Sequence, residues 1–537
     1  MSAGEGLSAV RRRLRREAEG DGLGLTLLSG AIAAAVLSPV AWLFLRVVDI
    51  PATEALSLLT APSTTRVLTN SVLLVTAVTA ASVLLGVPLA VLTVRTDLPA
   101  RRFFTVVLAL PLVVPSYIGA FAFVSAFGPR GALADVLAPL GIERLPEIYG
   151  LPGATLVLTL YIYPYVFLTT RAALLSLDAS LVEAARTLGE GRLGAFRQVT
   201  FPRIVPGIAA GGLLVALYTL SDFGTPAIMQ VDVFTSYIYV AYNGFAADQA
   251  ALLSLQLLGV TTVILALESR IGQDDASAYA SGGGGAATRI RLGAWRWVAA
   301  LACLAVTAVA LVLPVAVLLL WLFRGGPGYA GGGFPFELAF AVNSVGVSAA
   351  AALVSVVLAV PVGYVAARRS SLPARLAERA TYVGYAVPGV VLGLALVFFG
   401  VKFAPALYQT LPLLVFAYVV RFLPQAVGTA SSSVLQVDRQ LLEAARALGE
   451  SPGRAFRRVT LPLIWPGVLA GAALVFLTTM KELPATLLLR PTGFETLVSY
   501  IWQVQEAGYY GLAAVPALTL IAVSALSMAV ILAQERR

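Results

Sequence analysis

Residues 183–207 read EAARTLGEGRLGAFRQVTFPRIVPG, and residues 443–467 read EAARALGESPGRAFRRVTLPLIWPG. Sixteen of these 25 positions are identical at a constant offset of 260. Such likeness inside one chain points to duplication, so the chain is read as two copies of one unit. Each copy opens with helix-favouring residues, Leu181 to Leu188 or Leu441 to Leu448. Each then meets Gly189 or Gly449, a residue type that ends helices by taking a left-handed conformation. Glu183 and Glu443 lie near the start of the expected short helix, where its dipole favours negative charge. Ala184, Ala185, Ala444 and Ala445 give it a surface of small side chains that another backbone can approach closely.

What flanks these segments is apolar. Of 537 residues 59% are hydrophobic and only 12% charged, too few charges for the water-facing surface of a soluble protein this long. That excludes a cytosolic enzyme, a nucleic-acid binder and a disordered scaffold. A helix needs about 20 mostly apolar residues to cross a bilayer. Runs of this kind fall at 23–45, 67–94, 103–127, 152–175, 204–221, 250–267, 297–323, 343–366, 380–401, 408–430, 464–480 and 511–533. The expected fold class is therefore all-α, a polytopic integral membrane protein with about 12 transmembrane helices. The first run is 23 residues long, beyond the apolar core of a secretory signal, and reads as an uncleaved span. Arg11, Arg12, Arg13, Arg15 and Arg16 before it read as a cytoplasmic anchor.

The loops test this orientation, because cytoplasmic loops are rich in Lys and Arg. With the N-terminus inside and span ends counted into their loops, the inner segments hold 28 of these residues and the outer ones 8; Arg421 lies within a span. The contrast fits twelve spans with both termini cytoplasmic, and it locates the net charge of +9 without any nucleic acid. Both 25-residue copies then sit in the longest basic inner loop of their half. Residues 271–290, with Gln273, Asp274, Asp275 and the run Gly282 to Gly285, read as a cytoplasmic linker. It divides a first half, 1–270, from a second, 291–537. Six spans per half is an even number, so the halves run parallel, related by an axis along the membrane normal. Asn70-Ser71, Pro88 and Pro115 recur as Asn343-Ser344, Pro361 and Pro388 at an offset of 273.

Some chemistry is excluded by composition alone. The chain has no histidine, and Cys303 is its only cysteine, lying in an apolar run. Imidazole general bases, histidine zinc sites, intramolecular disulfides and cysteine-clustered metal sites all fall away. No G-x-x-x-x-G-K-[ST] phosphate loop occurs, and the Gly282 to Gly285 run lacks a following Lys-Ser or Lys-Thr.

Glu-Ala-Ala, three residues, Gly, nine residues, then Val-Thr-Phe-Pro or Val-Thr-Leu-Pro resembles the EAA loop of permease subunits in binding-protein-dependent ABC importers, here at 183–202 and 443–462. The chain as a whole is similar to the fused, two-half permeases of the ferric iron family. The resemblance implies two parallel six-helix halves of type I ABC importer permease fold, in the bacterial cytoplasmic (inner) membrane. It implies that Glu183, Ala184, Ala185 and Gly189 dock one copy of an ABC ATPase, and Glu443, Ala444, Ala445 and Gly449 a second. It further implies an extracytoplasmic substrate-binding protein as partner, no cofactor on this chain, and ATP used by the partner ATPase alone. The chain itself is then a transport subunit and not an enzyme.

Three charged residues, Asp222 and Glu482 at the outer ends of their spans and Arg421 near a span centre, are candidates for the translocation path. Asp222 and Glu482 coincide at the 260 offset, and a carboxylate in each half offers a passing hard cation an oxygen site. The bland reading is that each caps the next helix, near Pro226 or Pro484. Arg421, matched to Tyr161, either binds an anionic metal chelate or pairs structurally with a helix terminus. No firm metal ligand set emerges. Thiamine, phosphonate or another small solute are alternative substrates of the same type of permease. A secondary transporter with parallel repeats and an integral-membrane enzyme are the rival classes.

Overall fold

A computed structural model of the chain describes residues 22–127, 133, 138–141, 148–275, 290–323, 335–369 and 371–534. The arginine run at 11–16 and the Gly282–Gly285 stretch lie outside the described residues. Among those described, regular structure is helical apart from a two-residue bridge, Thr96 to Ile290. Ten helices are long and apolar enough to cross a membrane. Two further crossings are helix pairs bent at a short break: Arg101–Val113 with Ser116–Phe127 at 90°, and Leu372–Ala386 with Gly389–Phe403 at 102°. Counting each pair as one span gives twelve.

The runs 103–127 and 380–401, continuous in hydropathy, are thus angular in structure, and proline is the reason. Pro115 and Pro388 lack an amide proton, and each forces the residue before it out of the helical region. Val114 is extended with ψ 126°, and Val387 with ψ 117°. Apolarity carries no record of this break, since proline interrupts the hydrogen-bond ladder without adding charge.

The chain forms two compact units. One comprises 1–46, 337–499 and 522–537; the other comprises 47–336 and 500–521. These units do not follow the sequence halves: the first span of the first half groups with residues 337–499, and the first span of the second half groups with the first repeat core and residues 500–521. Helix α1 (Gly22–Val48) lies in the unit of the second repeat core: Trp42 contacts the Phe399 and Phe403 rings at 4.9 and 4.8 Å. In the other unit, Trp321 from the first span of the second half stands 6.1 Å from Tyr510 and clusters with Ala122, Ala126 and Ala514. Cys303, also from that span, is fully buried against Leu89, Phe104, Phe167 and Ile204.

Within each unit the fourth and fifth spans of a half cross on small residues. In the first half α2 (Gly150–Ser176) meets α3 (Phe201–Ser221); in the second, α4 (Leu411–Gln436) meets α5 (Leu461–Met480). Gly207 and Gly211 face Thr169 and Val166, while Gly467 and Gly471 face Ser433, Thr429 and Ala426. A methyl group at Gly211 would stand 2.7 Å from the Val166 Cα, and one at Gly471 would stand 3.1 Å from the Ala426 Cα. Lipid exerts no hydrophobic pressure between helices, so close backbone approach at such G-x-x-x-G pairs supplies the packing.

Asn70-Ser71 and Asn343-Ser344 fasten the outer loops. Asn70 Nδ2 donates to Asp232 O at 3.1 Å, and Asn343 Nδ2 donates to Glu495 O at 2.8 Å. Ser71 accepts from Phe234 N–H at 3.0 Å, and Ser344 accepts from Leu497 N–H at 2.8 Å. The structural offset here is therefore 263. A constant 260 sets Phe494 on Phe234, whereas the hydrogen bonds set Leu497 there, so the second half carries three extra residues before this loop.

Candidate functional site

The two elbows at 178–200 and 438–460 are built alike. Helix α6 (Ala179–Thr187) is capped by Asp178, whose carboxylate accepts from Ser180 N–H at 2.9 Å; helix α7 (Arg439–Ala447) is capped by Asp438, which accepts from Gln440 N–H at 2.9 Å. Hydrogen bonding from Ser180 holds the Asp178 carboxyl below its usual range, with Arg203 adding to the effect. At the other end Gly189 and Gly449 have φ of +92° and +89°. Their amides donate to Arg186 O and Arg446 O at 3.2 and 2.9 Å, and Glu190 and Glu450 donate to Ala185 O and Ala445 O, both at 3.1 Å. This doubled bond pattern satisfies the last carbonyls and needs a residue free to turn left-handed.

Each helix starts two residues earlier than its sequence suggests, and this changes which acid meets the dipole. Asp178 and Asp438 occupy the N-caps, while Glu183 and Glu443 fall mid-helix, past the first turn where the dipole acts. The sequence carries this signal too: aspartate immediately before a helix-favouring stretch is an N-cap pattern. After the elbow, residues Phe196–Thr200 and Phe456–Thr460 form matched wide turns leading into α3 and α5. Pro202 and Pro462 follow, and a proline ring crowds the carbonyl four residues back, which one wide turn relieves. Glu190 accepts from Gln198 Nε2 at 2.9 Å, and Glu450 pairs with Arg458, so each elbow is also tied by its side chains. Leu188 and Leu448 stand 86% exposed at the two tips.

The candidate path residues sit beside the proline breaks, and the two halves differ there. In the first half, Asp222 follows α3 and its carboxylate accepts from Thr225 N–H at 2.9 Å and from the Ser116 hydroxyl. Thr235 Oγ1 donates to the Asp222 carbonyl at 2.7 Å. In the second half, Glu482 is buried, accepts from Ala485 N–H at 3.3 Å, and meets Arg421 Nε at 3.2 Å. Arg421 also donates to Val387 O at 3.4 Å, across the break before Pro388. The position matching Ser116 is Gly389, where a Cβ would collide with both Glu482 and Arg421. A glycine thus clears the space that Arg421 fills, and serine takes the carboxylate where no arginine comes. Tyr161, the repeat counterpart of Arg421, is fully buried beside Gly119.

The structure therefore joins Arg421 to Glu482 and places both carboxylates at helix starts with capping geometry. Ser116, Gly389 and Val387 were not singled out from sequence, because each lies far along the chain from the acid it serves. Among the described residues no three His, Cys, Asp or Glu side chains gather as a metal ligand set.

Comparison with known proteins agrees with this architecture. The sequence profile of the family described as "Binding-protein-dependent transport system inner membrane component" matches residues 82–274 and 359–537, once in each half. The chain is 32% identical over 501 residues to an Fe(3+)-transport system permease protein of Haemophilus influenzae, covering 93% of this chain and 95% of that one. It is 24% identical over 492 residues to a ferric transport system permease protein of Actinobacillus pleuropneumoniae, covering 87% and 70%. A molybdenum transport system permease protein of Escherichia coli is 32% identical over 165 residues, 29% of this chain and 69% of that one. With its duplicated elbows, ten to twelve candidate membrane spans among the described residues and a profile match in both halves, the chain belongs to the inner-membrane permease components of binding-protein-dependent ABC transport systems.

Proposed function

We propose that this permease imports ferric iron, handed to it by an extracytoplasmic binding protein and driven by two copies of a separate ABC ATPase. The observation that carries the coupling half of the reading is the pair of matched inner elbows. Each is a short helix fixed at both ends and continuous, through one wide turn, with a membrane-spanning helix. A lever of this kind transmits a push without fraying. The exposed Leu188 and Leu448 side chains supply apolar area for an ATPase surface, beside Glu183, Ala184, Ala185, Glu443, Ala444 and Ala445. Both termini are cytoplasmic in this reading, this chain carries no cofactor, and ATP is bound and hydrolysed only by the partner.

Iron as the cargo is supported by the extent of the likeness. The ferric permease relative aligns along nearly the full chain, whereas the molybdenum permease relative aligns over less than a third of it. Asp222 and the Arg421–Glu482 pair are proposed to border the path at the proline breaks, where carboxylate oxygens suit a hard cation.

Uptake into proteoliposomes tests the reading. Labelled Fe³⁺ is expected to accumulate only when this chain, its ATPase, ATP and an iron-loaded binding protein are all present, and labelled thiamine is not. Uptake that persists without the ATPase and collapses with the proton gradient would overturn the proposal in favour of a secondary transporter.

A further inference from the structure

The outer ends of the two halves differ at one backbone position. Helix α8 (Phe234–Asn243) closes with Phe245 N–H to Tyr242 O at 3.1 Å and Ala246 N–H to Ala241 O at 2.9 Å. Helix α9 (Leu497–Glu506) closes with the same pair, Gly508 N–H to Gln505 O at 3.1 Å and Tyr509 N–H to Val504 O at 2.8 Å. The register is again 263. Both stops require a left-handed residue, with φ +60° at Phe245 and +77° at Gly508. Glycine takes that conformation freely, while the Cβ of an L-residue is forced toward a carbonyl oxygen.

Phe245 carries this strain and gains no packing from it. The residue is 97% exposed. The other non-glycine residues with positive φ, Ala100, Gln230 and Gln409, are small or polar. A bulky apolar side chain held out on a strained backbone points to something that covers it. The bilayer does not explain the difference between the halves. Phe245 and Gly508 each precede a span, Ala247–Leu267 and Tyr510–Ser527, by two residues. Both residues hold the same place relative to an apolar helix, yet the second half has glycine there. A single partner without twofold symmetry meets the halves differently, and a binding protein on the outer face is such a partner.

Resting on the import function proposed above, we infer that Phe245 is a docking knob for the extracytoplasmic binding protein, entering an apolar recess on that protein's surface. The test compares Phe245→Gly, Phe245→Leu and Gly508→Phe in the full permease–ATPase complex in proteoliposomes. The cognate binding protein loaded with Fe³⁺ is titrated and ATP hydrolysis is read. Phe245→Gly is expected to raise the half-maximal concentration of binding protein about fivefold or more, the loss typical of a central apolar contact. Its melting temperature is expected to hold or rise, because the strain is gone, and its hydrolysis without binding protein stays unchanged. Phe245→Leu keeps most of the affinity. Gly508→Phe lowers the melting temperature without changing the titration. An unchanged titration for Phe245→Gly, a fall in its melting temperature, or an effect that follows vesicle lipid composition overturns the knob. If binding protein fails to stimulate even the unaltered complex, the import reading falls as well.

Discussion

Arg421 shows how a residue conspicuous in sequence acquires its meaning from one that is not. An arginine inside a span costs about 2.5–3.5 kcal/mol on insertion scales, so some compensation is required. Glu482 supplies it, 61 positions further on, and Gly389 supplies the room. Arg421→Met alone leaves the Glu482 charge buried without its partner and is expected to destabilise the protein by about 3–5 kcal/mol. Adding Glu482→Gln to that variant is expected to restore most of the loss. Thermal melting of the purified protein checks this, and equal melting of single and double variants would show the pair to be inert. Gly189 and Gly449 are the opposite case, legible at once from sequence. A Cβ at either would meet nothing within 4 Å, so the requirement lies in the backbone alone. Gly449→Ala is expected to cost about 1 kcal/mol in the elbow, leave the membrane core intact, and lower binding-protein-stimulated ATP hydrolysis.

At the scale of elements, local sequence and local structure agree wherever the interaction closes within a few residues. The elbows, their glycine stops and the spans are of this kind. The N-caps are too: Asp178, and not Glu183, stands at the helix start. Asp178→Ala is expected to speed hydrogen exchange at the Ser180 amide while Ala185 and its neighbours stay protected; equal exchange in both forms would deny the cap. The Asp178 carboxyl is held below its ordinary value of 3.8, so the cap's contribution is complete above that value and fades as pH falls through the lowered one. ATPase coupling is accordingly expected to owe no pH dependence between about pH 6 and 8 to this residue. The proline breaks were visible only as prolines. Their right angles depend on which helices take up the two arms, and hydropathy does not report that. Gly211→Leu would drive a side chain into the Val166 backbone, an overpacking worth about 1–3 kcal/mol, read as a lower melting temperature.

Across the whole molecule, duplication has kept the inner elbows nearly identical and let the outer side diverge. The inner copies meet equivalent partners in the proposed function, whereas Ser116 against Gly389, Tyr161 against Arg421, and Phe245 against Gly508 all distinguish the halves. Asp222→Asn combined with Glu482→Gln is expected to lower the melting temperature, because Arg421 loses its partner, and to lower iron uptake per folded complex while the ATPase stays bound and active; unchanged uptake would leave both acids as helix caps only. The sequence by itself determined the membrane class, the repeat and the elbow segments, and it located the apolar runs. Each of these follows from composition or from contacts closed within a few residues, so a linear reading suffices. Only the tertiary structure decided that Arg421 belongs to Glu482, that the loops after the fifth spans align at 263, and that the first span of each half groups with the core of the other half. Those outcomes turn on space and hydrogen-bond geometry between residues distant in the chain, where one glycine or three inserted residues change which side chains meet.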